Sequence, residues 1–94
     1  MDTAYPIVKK EIETKVREML AEATGNVDLA RDIEADTPLF TGDAGLDSVD
    51  LVSFIVLVER GFMLSFPQEA DFSALFFNID SIIATILSYL PVEG

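Results

Sequence analysis

Between residues 6 and 24, Val8, Ile12, Val16, Met19, Leu20 and Ala23 recur at three- and four-residue spacing, while Lys9, Glu13, Arg17 and Glu22 fall off that stripe. The rhythm is that of an amphipathic helix with one face toward a core. Pro6 suits the first turn, where its missing N–H costs nothing, and Gly25-Asn26 supplies a stop. A second stripe, Ile79, Ile82, Ile83, Ile86, Leu87 and Leu90, predicts a helix over 79–90, capped by Asn78 and ended by Pro91.

Residues 48–60 are ambiguous. Val49, Val52, Ile55, Val56 and Val58 are β-branched, and propensity alone favours a buried strand. Asp47 and Ser48 are good N-cap residues, Gly61 suits the position just past a helix, and thirteen residues exceed a usual strand. The chain also offers only one weak alternating partner, Phe62-Leu64-Phe66. The segment is therefore expected to be a helix buried around most of its circumference. A short helix is expected at 71–77, where Phe72 and Phe76 stand four apart.

The long connection 26–46 is broken by Thr37-Pro38 and Gly42-Asp43, with room for one helical turn at 28–34. A loop of this length needs anchors, which Leu29, Ile33, Leu39, Phe40 and Leu46 can supply. The expected fold is all-α: a single domain over 1–94, a small four-helix bundle of three longer helices and one short one.

Charge narrows the function. The 94 residues carry a net charge of −11, unevenly spread: residues 1–24 hold five acidic and four basic side chains, residues 25–94 twelve acidic and only Arg31 and Arg60 as bases. Such a surface repels phosphate backbones and anionic lipid, which argues against nucleic acid and membrane partners and favours basic protein patches. Cysteine and histidine are both absent. That removes disulfides, thiolate zinc sites and the common nucleophile–histidine pairs, so no enzymatic activity is expected. The longest apolar run is five residues, 54–58, and the N-terminal stretch lacks a signal-peptide pattern, so a cytoplasmic, soluble monomer is expected.

The stretch "GLDSVDLVSFIVLV" holds the candidate chemistry. Ser48 sits between Asp47 and Val49-Asp50, at the expected start of a helix whose unpaired N–H groups and dipole favour an anion. The ordinary role of such a serine is an N-cap. However, "LDSVDLV", following a long acidic loop and one amphipathic helix and preceding two more, resembles the acyl carrier protein family. The "ERGF" exit of the second helix and the "NIDSIIATIL" final helix extend the resemblance over nearly the whole chain.

The resemblance implies that Ser48 bears a covalent 4′-phosphopantetheine arm, with Asp47 beside it and Val49 in a pocket-lining position that Leu or Met usually holds. The arm would carry an acyl or aminoacyl thioester and present it to partner enzymes, and its thiol accounts for a chain without cysteine. The implied partners are a phosphopantetheinyl transferase and acyl-loading or acyl-processing enzymes with basic docking patches. Asp43, Asp50, Val49, Phe54 and Glu59 are the candidate docking residues. Ser53, Phe54, Arg60 and Gly61 depart from the acidic pattern usual for fatty-acid carriers, which favours a specialised pathway such as polyketide, nonribosomal peptide or surface-polymer assembly. In some family members the acyl chain inserts between the helices. Val52, Ile55, Val56, Phe62 and Ile82 could line such a cavity here, against the plainer reading of a close-packed core.

The alternative is a non-catalytic acidic interaction module binding a basic protein, with Ser48 a plain cap. Divalent-metal binding by Asp36, Asp43, Asp47 and Asp50 is disfavoured: an EF-hand loop starting at Asp43 would place Phe54 where the bidentate Glu belongs. A serine hydrolase lacks both the Gly-x-Ser-x-Gly turn and a histidine base.

Overall fold

The computed structural model describes residues 4–40 and 46–89, with side chains from residue 9 onward. These residues form helices and no strand: α1 (Ala4–Thr24), α2 (Val27–Asp32), α3 (Ser48–Phe62), α4 (Phe72–Leu75) and α5 (Ile79–Tyr89). The turn anticipated near 28–34 is thus a helix in its own right, added to the expected four. Val8, Gly42, Asp43, Leu90 and Pro91 lie outside the described side chains.

α1 is the hub, packing against α2, α3 and α5, while α4 lies on α5. Its stripe behaves as the spacing requires: Ile12, Val16 and Leu20 are buried, with Met19 and Ala23 partly so. α1 ends at Gly25, whose φ of +73° is the left-handed conformation that a residue without a Cβ adopts freely, and whose N–H bonds to the Ala21 carbonyl at 2.8 Å. α5 presents Ile79, Ile82, Ile83 and Ile86 to the same core. Asn78 caps it reciprocally: its Oδ1 accepts from the Ser81 N–H at 2.7 Å, and its own N–H donates to Ser81 Oγ at 2.9 Å.

The long connection is pinned by the side chains expected of it. Leu39 and Leu46 are buried and Leu29, Ile33 and Phe40 partly buried. Backbone bonds add to this packing, from the Leu39 N–H to the Phe77 carbonyl at 2.9 Å and from the Asp80 N–H to the Ala35 carbonyl at 3.0 Å. Both tie the loop to the start of α5. Arg17 contributes a bond set that periodicity alone placed off the apolar stripe. Its Nη1 donates to the carbonyls of Ala30 at 3.0 Å, Arg31 at 3.3 Å and Ile33 at 2.7 Å, closing the open C-terminal end of α2.

α3 departs from expectation in two ways. It runs through Gly61 and ends past Phe62, with Met63 in the left-handed conformation at φ 55°. The Met63 N–H reaches the Arg60 carbonyl at 3.4 Å and the Leu64 N–H the Glu59 carbonyl at 2.9 Å, the paired bonds of a Schellman ending. Gly61 stays within the helix, where the terminal methyl of Met19 from α1 lies against it. Nor is α3 buried around most of its circumference. Phe54 and Val58 are fully buried, while Val49, Val52 and Val56 face outward.

Candidate functional site

The start of α3 is built by three adjacent residues with separate tasks. Leu46 is buried and holds the incoming chain against the core. Asp47, in extended conformation at φ −118° and ψ −175°, is the N-cap: its Oδ1 accepts from the Asp50 N–H at 3.0 Å. Asp50 returns the favour, its Oδ2 accepting from the Asp47 N–H at 3.3 Å, so the pair forms a capping box. Ser48 is therefore the first helical residue and not the cap. It is exposed, and its hydroxyl bonds to no other described residue.

This division of labour bears on the chemistry. A hydroxyl used as a cap has its oxygen committed to a backbone N–H, whereas here two carboxylates do that work and leave the Ser48 Oγ open to solvent. The N–H groups of Ser48 and Val49 have no acceptor among the described residues, and the dipole of a fifteen-residue helix points its positive end at the same place. An anionic ester on Ser48 would meet favourable groups there. Asp47 and Asp50 oppose it, which favours an ester of low charge.

From Ser48 the outward side of α3 continues as Val49, Val52, Val56, Arg60 and Met63, spaced three and four apart as one row along the helix. Val49 is 70 % exposed, Val52 60 % and Met63 91 %. An open groove beside this row is lined by Glu22, Ala23, Val52, Ser53, Val56 and Leu57. Among the anticipated docking residues, Asp50 and Val49 lie at the serine end of the row, and Asp43 lies outside the described residues. Glu59 is half-buried, and its Oε2 accepts from the Phe66 N–H at 2.9 Å, holding the α3–α4 loop.

Two expectations are corrected. Phe54 is 0 % exposed and meets Phe76 edge-to-face, so it belongs to the core and cannot touch a docked partner. Val52 and Val56, read above as core or as the lining of a cavity, project away from the interior on the opposite side of α3 from Phe54 and Val58. Sequence reasoning missed their exposure because an apolar surface row and an apolar core stripe look alike in a helix that carries both. Among the described residues there is no cluster of three or more carboxylates placed to hold a metal ion, and no helix is long and apolar enough to cross a membrane.

Comparison with known proteins gives one finding. A family model described as a phosphopantetheine attachment site matches residues 14–86, which spans the second half of α1 through most of α5. No curated protein and no solved structure matches the chain.

Proposed function

The chain belongs to the phosphopantetheine attachment site family, and we propose that residues 1–94 act as a single carrier domain whose attachment point is Ser48. The domain type carries 4′-phosphopantetheine covalently. The observation that carries the assignment to Ser48 is the separation of capping from exposure: Asp47 and Asp50 cap α3, and the hydroxyl of the exposed Ser48 bonds to no other described residue. Five other serines follow in the chain, but Ser48 alone opens a helix of more than ten residues with an acidic cap beside it. The residues present therefore fit the group.

When bound, the arm supplies a thiol that holds an acyl or aminoacyl group as a thioester. The chain's own part is positional. Ser48 Oγ would attack the pyrophosphate of coenzyme A, forming its bond to phosphorus as the P–O bond to the leaving 3′,5′-adenosine bisphosphate breaks, while the hydroxyl proton passes to a base of the transferase. Asp47 and Asp50 fix the helix start, so the tether leaves the protein from a defined point. The chain itself is then a carrier and performs no reaction on its cargo.

Partner enzymes would dock on the row that starts at Ser48. Asp47 and Asp50 set a negative end suited to a basic patch, and Val49, Val52 and Val56 give an apolar stretch beyond it. Arg60 stands exposed at the far end. With Phe54 withdrawn into the core, Arg60 and Ser53 are the surface departures that support a specialised biosynthetic pathway over general fatty-acid synthesis. The cytoplasm is the proposed location, where coenzyme A is the donor of the arm.

The test is intact mass after incubation with coenzyme A and a broad-specificity phosphopantetheinyl transferase. One added phosphopantetheine is expected. An unchanged mass with several transferases, on protein shown to be folded, would favour the acidic interaction module.

A further inference from the structure

We propose that the interior of this domain holds no place for an acyl chain, so that the cargo rides outside the helices and belongs to the short or polar class of acyl and aminoacyl groups. This rests on the carrier reading above. A hydrocarbon tethered at Ser48 can enter the interior only through one of the two seams beside α3. On the α1 side the seam is shut by Val16 and Leu20, both 0 % exposed, and by Met19 packed over Gly61.

On the other side it is filled by aromatic rings. Phe54 of α3 meets Phe76 with centroids 5.6 Å apart and planes at 87°. Phe76 meets Phe66 at 5.8 Å and 87°, and Phe66 meets both Phe72 at 5.9 Å and Tyr89 at 5.0 Å. These are edge-to-face contacts, in which each ring fixes the position of the next. The network links α3, the 63–71 loop, α4 and α5. Phe66, its central member, is held from two directions, by its rings and by the bond from its N–H to Glu59. A chain entering here would have to drive a ring out of a close-packed site. The grooves on the described surface are open, and these rings line none of those identified beside α1, α3 and α5.

The experiment compares the protein carrying the bare arm with its butyryl and octanoyl forms, loaded from the corresponding coenzyme A thioesters by a broad-specificity transferase. Intact mass is read first. Thermal unfolding of the three forms is then expected to agree to within about 2 °C. Burial of the four additional methylenes would raise the octanoyl midpoint above the butyryl one by roughly 10 °C or more, and that result would overturn the proposal. Nuclear Overhauser contacts between octanoyl methylenes and the Phe54 or Phe76 rings would overturn it equally, and their absence is expected. A missing mass increment removes the carrier reading and this inference together, whereas loaded protein whose melting rises with chain length removes this inference alone.

Discussion

At the scale of single residues, Asp47 and Ser48 are adjacent, acidic and hydroxylic, and both are common at helix starts, yet the fold gives them opposite duties. Asp47 spends its carboxylate on the Asp50 N–H, so Asp47→Ala should destabilise the protein by about 1 kcal/mol in urea unfolding. Ser48→Ala removes an exposed hydroxyl that bonds to no other described residue. Its urea midpoint should match the wild type's, and it should accept no phosphopantetheine. A large loss of stability in Ser48→Ala would return that side chain to a capping role. The sequence offered both residues as caps, and only the backbone at Asp47, extended before the first helical turn, decides between them.

Among the elements, α2 depends on a partner outside itself. Six residues are too few to hold a helix in water, and this one is closed at its start by Asn26, whose Oδ1 accepts from the Leu29 N–H at 3.0 Å, and at its end by Arg17 of α1. Arg17→Ala should therefore cost on the order of 2 kcal/mol. The loss should be local first: amide exchange should accelerate across residues 27–33 before it does in α5. Uniform acceleration would contradict the local role. The helices at 6–24 and 79–90 were legible because their apolar residues keep one face and their ends carry Gly25 and Asn78. α3 was legible as a helix but not in its orientation, since valines line its outward row as well as its core. It ends two residues later than Gly61 suggests, because Met63 takes the left-handed conformation and closes the helix there, a conformation that sequence signals assign to glycine. Arg17 falls off the apolar stripe, and its role is not encoded in local spacing because its acceptors are carbonyls at the end of another helix.

For the whole molecule, two features dominate. The core is held at its centre by Phe54 and Phe76, both fully buried, so Phe76→Ala should cost about 3–5 kcal/mol. That is a large share of the roughly 5–15 kcal/mol available to a domain of ordinary stability. The variant should show a shifted or incomplete transition in circular dichroism, and an unchanged midpoint would contradict the packing described. The second feature is a net charge of −11, most of it after residue 25. Self-repulsion on that scale opposes compaction and is relieved by screening. Raising sodium chloride from about 10 mM to about 150 mM shortens the screening length from about 30 Å to about 8 Å. The thermal midpoint should rise across that range, and a fall would mean that local ion pairs outweigh the repulsion. The bundle itself followed from helix periodicity and loop signals, but the side of α3 that partners can reach required the packing of Phe54 to be seen.

The central claim is that the arm is joined to Ser48, and the most direct measurement is its localisation by fragment mass. The protein would be modified with coenzyme A and a phosphopantetheinyl transferase, cleaved, and the modified peptide sequenced in the mass spectrometer. A single modified peptide containing residues 46–50 is expected, with the mass increment on Ser48 and none in Ser48→Ala. An increment on Ser53, Ser65, Ser73, Ser81 or Ser88, or one that persists in Ser48→Ala, would contradict it.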